Sequence, residues 1–399
     1  MFLYFIIALA VGILAGTFTG LIPGIHINLV SLILLSFLES LSNIPSIILA
    51  IFIVSMAITH TFLDFIPSIF LGAPEEDSFL SILPGHQMLK KGEAHNAIIL
   101  TLYGSIIGLI IILIFTPVFI YLLPLIFETS KKIIPFVLIF VSIYLILREK
   151  KFHLALIIFL LAGFLGYLAL NSPVKEPLLP LLTGLFGSSA LIISLKNKIQ
   201  IPKQKITKLK EIKITKKEIK NVSLGAMISA PLSSFLPGIG AGHAAVIGSE
   251  IIPQTNRGFL TMLGAINTIV MGLSFITVFS IGRTRTGAAL AVKQILSEIT
   301  LSNVYLILTT IIISGILSFL IAIKISKIFS KNITKISYSK LSLTIILLLT
   351  TLITIFSNPL GLLVFATATS LGIFTILSGA RRINLMGALL VPTILFYLF

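Results

Sequence analysis

Between Ala97 and Leu123 the chain runs for 27 residues without a charged side chain. About 20 apolar residues carry a helix across the hydrocarbon core of a bilayer. Inside that core every backbone polar group must be bonded within the protein, which leaves only helices and closed barrels. The unbroken run excludes the short alternating strands of a barrel. The whole chain agrees: 57% of its 399 residues are hydrophobic and 11% are charged, where a soluble domain has about a quarter charged. The opening stretch "MFLYFIIALAVGILAG" lacks a basic n-region and reads as a first span, not a removed signal. Without cysteine there is no thiolate, disulfide or iron–sulfur chemistry. The net charge of +16 reflects loops on the cytoplasmic side, which collect Lys and Arg, and not a nucleic-acid partner.

Ten lysines and two glutamates crowd Lys196–Lys220. This segment reads as a solvated cytoplasmic linker, with binding of anionic headgroups as the other reading. It divides the chain into an N-terminal transmembrane repeat (1–195), the linker (196–220) and a C-terminal transmembrane repeat (221–399). Apolar segments fall near 2–21, 25–38, 44–71, 97–123, 133–147, 152–170 and 177–195, then near 221–236, 239–252, 258–281, 301–323, 342–356, 360–378 and 383–399. Seven is odd, so the two halves enter the membrane from opposite sides. The expected fold is an all-α polytopic membrane protein of two inverted-topology repeats. All but six of the 29 basic residues then lie inside, and both termini lie outside. The 14-residue segments 25–38 and 239–252 are short for a crossing, and re-entry is the alternative.

Each half carries a Pro-Gly break within apolar sequence: "LIPGIHINLV" at Leu21–Val30 and "FLPGIGAGHAAV" at Phe235–Val246, offset by 214 residues. Proline and glycine end one helix and let another begin. The new helix turns unbonded N–H groups and a partial positive charge into the break, a natural place for an anion. Candidate substrate-binding residues are Pro23, Gly24, Ile25, His26 and Asn28 at the first break. At the second they are Pro237, Gly238, Gly240, Gly242 and His243. Thr17 and Thr19 add hydroxyls nearby. A kink with small-residue packing is the simpler explanation of either break. Inverted repeats with broken helices are also the architecture of secondary transporters. The glycine run "GIGAG" follows no strand and is not a nucleotide loop.

Asp64 is the one acid deep within a long apolar segment, and His60 lies four residues earlier on the same helical face. Such a pair suits a coupling proton or Na⁺; otherwise Asp64 caps the turn that begins at Pro67. "GAPEED" (72–77) lies opposite "GRTRTG" (282–287) in the repeat. Arg283 and Arg285 become candidates for the anionic substrate, and Glu75, Glu76 and Asp77 for the coupling cation. An ion-pair network between the halves, or solvated loops on opposite faces, would explain the same charges. No metal-ligand spacing and no catalytic motif appears, so neither an enzyme nor a cofactor beyond a coupling Na⁺ or H⁺ is expected.

Three stretches together resemble the large membrane subunit of the tripartite tricarboxylate transporters, the TctA family: "GTFTGLIPGIHINLV", "LGAPEEDSFLSILPGHQMLKKGEAHNAIILTLYGSIIG" and "SSFLPGIGAGHAAVIGSE". The matching positions are Gly16, Gly20, Pro23 and Gly24; Pro74, Glu75, Pro84, Gly92 and Ala94; and Pro237, Gly238, Gly240 and Ala241. The resemblance runs from about residue 12 to 290. It implies ion-driven uptake of di- or tricarboxylates in the cell membrane, with a small membrane subunit and an extracytoplasmic binding protein as partners. The chain departs from the family in its lysine-rich linker and in "SIGRTRTGAA", where a neutral turn is usual. Two other readings account for the breaks and the linker: a translocase for polyprenyl phosphate, and a membrane scaffold that recruits partners through its linker.

Overall fold

The computed structural model describes residues 2–22, 27, 30–31, 34, 43–72, 80, 82–196, 202–235, 240–333 and 338–399. The first half contains α1 (Phe2–Leu21), α2 (Ser46–Leu63), α3 (Phe65–Leu71), α4 (Ile82–Lys90), α5 (Ala94–Leu147) and α6 (Phe152–Leu170). It closes with α7 (Leu178–Leu182), a π-helical turn (Thr183–Ser188) and α8 (Ser189–Lys196). The second half contains α9 (Lys216–Phe235), α10 (Ala241–Ile251), α11 (Asn256–Ile281), α12 (Gly287–Leu296), α13 (Leu301–Asn332), α14 (Tyr338–Phe356) and α15 (Asn358–Ser378). A 3₁₀ turn (Arg382–Met386) and α16 (Gly387–Leu398) follow. Among the described residues eight helical stretches are long and apolar enough to cross a membrane, and there is no strand. The protein is an all-α polytopic membrane protein.

The halves are interleaved. α11 of the second half packs along α5 of the first, and α13 of the second along α2 of the first. Likewise α16 packs on α6, and α15 on the π turn. Small residues make these crossings close, as expected where lipid supplies no hydrophobic drive for helix association. A Cβ on Gly104 would lie 1.8 Å from the Thr261 carbonyl oxygen, and one on Gly264 would lie 2.0 Å from that of Thr101.

One end of the molecule gathers the basic residues. Gln87 meets Asn256, Arg148 binds Glu250 at 2.8 Å, Arg381 binds Glu149, and Arg257 donates to the Lys213 carbonyl. At the other end Ser280 donates to the Ile120 carbonyl, Asn358 to that of Pro173 and Ser357 to that of Glu176. α3 ends at Gly72 against His86, beside Gln87, so α2–α3 runs toward the basic end, while α11 starts there. The two halves run oppositely.

Segments 97–123 and 133–147 belong to one helix, α5, with no loop between them. A straight helix of 54 residues would span about 81 Å. Yet the contacts of Ala94 with Gln204 and of Arg148 with Glu250 hold both its ends at the basic end. The helix therefore doubles back, and Pro117, Pro124 and Pro135 remove the donors that would keep it straight.

The linker is no solvated connector. The Ala94 N–H donates to Gln204 Oε1, and Gln204 Nε2 donates to the Leu89 and Pro202 carbonyls. Tyr103 donates to the Leu209 carbonyl, and Gln204 and Ile212 are buried while the intervening lysines face outward. The described linker is a strap tied beneath the bundle.

Candidate functional site: a buried polar seam beside a half-helix

The chain after the second break returns without crossing. Glu218, in the first turn of α9, accepts from Thr255 at 3.5 Å, and Glu250, at the end of α10, binds Arg148. Both ends of the α9–α10 hairpin are thus at the basic end. The 11 residues of α10 reach only about 16 Å, roughly half the thickness of a hydrocarbon core. α10 is a re-entrant half-helix that begins in the interior, and its first residues are enclosed: Ala241 is 0% and His243 2% exposed. The Gly240 N–H donates to His243 Nδ1 at 3.0 Å, so the ring proton resides on Nε2. That start presents the positive end of a helix dipole to the protein interior. Pro237 and Gly238, like Pro23, Gly24, Ile25, His26 and Asn28, lie outside the described residues, as do Glu75, Glu76 and Asp77.

α2 is broken at Asp64 because Pro67 has no N–H to bond the Leu63 carbonyl; the Asp64 carbonyl instead accepts from Ser68 Oγ at 2.9 Å. The Asp64 carboxylate makes no capping bond to the turn. It is 1% exposed, and its Oδ2 accepts from Asn267 Nδ2 on α11 at 2.8 Å. Neighbouring residues reach other helices. His60 Nδ1 lies 3.1 Å from Thr19 Oγ1 on α1, Thr61 meets Thr268 on α11, and Ser318 on α13 donates to Thr59 at 2.8 Å. Thr19 gives its own proton to the Gly16 carbonyl, so His60 Nδ1 is the donor to it. The His60–Asp64 spacing puts both on one face, but these bonds go to different helices.

From Asn267 a polar stripe climbs α11 at helical spacing. Ser274 Oγ lies 3.3 Å from Thr286 Oγ1, and Thr277 donates to the Ser234 carbonyl at the end of α9. α11 therefore reaches Asp64 through Asn267 and the last turn of α9 through Thr277. Thr286 also caps α12, accepting from the Ala289 N–H at 3.1 Å. This folds the 282–286 turn back toward Ser274. Arg285 is half-buried next to Thr286, while Arg283 is exposed and apart from the seam. Sequence reasoning missed Asn267, Ser274, Thr277, Ser318 and Thr268, because neutral polar residues in apolar helices carry no signal of their own. Their repetition at i, i+7 and i+10 on α11 was the available clue.

The model of the tripartite tricarboxylate transporter TctA family matches residues 6–387. The chain belongs to the TctA family. The match extends the resemblance through α13–α15 and into the start of α16. An uncharacterized protein of Methanocaldococcus jannaschii is 32% identical over 98% of both chains. No solved structure matches. As a TctA member the protein is a multi-pass membrane subunit of the tricarboxylate transporter type.

Proposed function

We propose that this TctA protein is the permease of a secondary active uptake system for a di- or tricarboxylate, driven by Na⁺ or H⁺. The observation that carries the reading is the enclosed N-terminus of α10, held at about half depth against α11, the helix whose Asn267 reaches Asp64. A half-helix start of this kind favours a carboxylate, and an acid buried in a membrane domain suits a coupling ion. In this reading Gly240, Gly242 and His243 form the described part of the substrate site. Arg285 is the candidate cation for the substrate, and Asp64 with Asn267 and His60 carries the ion. The lysine strap faces the cytoplasm, both termini lie outside, and a small membrane subunit and an extracytoplasmic binding protein complete the system.

The test is thermal stability of the detergent-purified protein against citrate, succinate and short-chain polyprenyl phosphate, each with and without Na⁺. Ligand at about 100 times its dissociation constant adds roughly 2.7 kcal/mol to the folded state. A carboxylate shift that Na⁺ enhances, and that Gly242→Val abolishes, supports the proposal. A shift with the lipid phosphate alone replaces it by the translocase reading, and no response to any of them counts against it.

A further inference from the structure

At the basic end, away from the seam, the turn joining α5 to α6 and the turn following α15 enclose a cavity of about 410 Å³. Arg148, Lys150, Lys151 and Arg381 stand on its wall with one acid, Glu149, and Gly379. Neither arginine is fully used by its ion pair. Arg148 engages Glu250 through Nη1 alone, and Arg381 engages Glu149 through Nε, leaving both its Nη groups. The carboxylates are the more buried partners, at 18% and 13% exposure against 53% and 49% for the arginines. Glu250 lies outside the cavity lining, and Glu149 is the one carboxylate on it. Lys150 and Lys151 have no ion-pair partner among the described residues. α6 begins beside them at Phe152, with no side-chain cap on its first turn. An anion there would meet open N–H donors and the positive end of a 19-residue helix.

The surroundings say which anion. Tyr144 and Leu147 at the end of α5, and Phe152 and Leu156 at the start of α6, are exposed on the outside of the bundle, where the solvent is hydrocarbon. The cationic cavity thus opens at the foot of an apolar wall, the arrangement that suits a charged head on acyl chains. The geometry points to a phosphate-binding site for an anionic phospholipid, its phosphate held by Lys150, Lys151 and the arginine forks and its chains lying along α5 and α6. A phosphodiester head offers two unesterified oxygens that can take an arginine fork or a pair of lysines, and its ester-linked chains reach the apolar wall, which a free carboxylate cannot. The site is independent of the proposed transport site, and its test uses no transport.

The experiment titrates the detergent-purified protein with dioctanoyl phosphatidylglycerol, dioctanoyl phosphatidylcholine and inorganic phosphate, reading the unfolding temperature. The titrations are repeated on K150Q/K151Q and on K208Q/K210Q, a control that removes two charges from the strap. Phosphatidylglycerol should stabilise the protein saturably and phosphatidylcholine should not. K150Q/K151Q should weaken the apparent affinity at least tenfold, on the scale of two near-surface lysines, without moving the unfolding temperature in detergent alone. The control should bind as the native chain does. A saturable response to inorganic phosphate that K150Q/K151Q also loses would keep the phosphate site and make free phosphate its source. No response to phosphatidylglycerol, or equal weakening in both double variants, would overturn the site, the latter by showing diffuse charge attraction.

Discussion

The stretch Ser46–Leu71 in the first half and α11 in the second are counterparts, both 26 residues long. Each ends on a glycine in the left-handed region, Gly72 at φ 66° and Gly282 at φ 65°, where a side chain would be strained. Each is followed by an amphipathic helix that returns a side-chain nitrogen to that glycine. His86 Nε2 is 3.0 Å from where a Cβ of Gly72 would be, and Lys293 Nζ donates to the Gly282 carbonyl at 2.7 Å. Their interiors diverge. The first arm is broken by Pro67 and carries His60 and Asp64, while α11 is continuous and beyond Arg257 in its first turn carries only neutral polar groups. Eight residues before the glycine, one arm has Asp64 and the other Ser274. The duplication supplies a symmetric frame, and ionisable chemistry is placed on one side of it.

The largest expected effect tests the frame itself. Gly104→Val drives a side chain into the Thr261 backbone carbonyl, which cannot rotate away, and should leave no folded protein by size-exclusion chromatography. On α13, Gly315 would meet only the side-chain end of Leu109, at 2.6 Å. Gly315→Ala should therefore lower the unfolding temperature by only a few degrees. If both variants fold equally well, the close crossing of α5 and α11 is not what holds the halves together.

Next comes the asymmetry. Asp64→Asn should preserve insertion and the Asn267 contact yet lower carboxylate uptake into proteoliposomes about 100-fold, the loss of roughly 2.7 kcal/mol. Ser274→Ala, at the matching place, should change uptake less than threefold. Equal effects would mean that the two arms share the coupling work.

Smaller effects lie at the basic end. Gln204→Ala strands the Ala94 N–H, which costs about 1–3 kcal/mol. It should also speed tryptic cleavage after Lys203 and Lys205. The smallest is a pH effect. Burial, then the charges of Lys90 and Arg382, hold the His86 imidazole down to about 3 from its usual 6.5. The unfolded chain takes up that proton first, so stability is complete above about pH 7 and falls as the pH drops through 6.5. Between pH 7 and 5.5 the loss should be about 1 kcal/mol. His86→Gln should remove that part of the pH dependence of the unfolding temperature.

Sequence alone revealed the membrane class, the opposed halves and the second break, because length, charge and Pro-Gly pairs are local signals. Asp64 stood out for the same reason: a charge in apolar sequence is conspicuous. Its partner Asn267 was hidden, since only the packing of α2 against α11 singles it out among neutral polar residues. The docked linker was hidden by composition. Ten lysines suggest a solvated tether, and the inward set of Gln204, Leu209 and Ile212 shows only once α4 and α5 are there to receive it. Arg382 escaped notice because two adjacent arginines read as one loop charge. In the fold Arg381 faces Glu149, while Arg382 is buried and donates to the Leu185 and Phe186 carbonyls of the π turn.

The re-entrant α9–α10 hairpin has a consequence for how the chain is made. Eleven residues are too few for a translocation channel to release sideways into lipid as a stable span, and both ends of the hairpin stay on one face. Nothing is carried across when it enters. It is therefore threaded into the bundle late, after α5 and α11 have built the slot that receives it. A ribosome-bound chain halted before α11 should still expose α10 to modifying reagents from the face where it was synthesised.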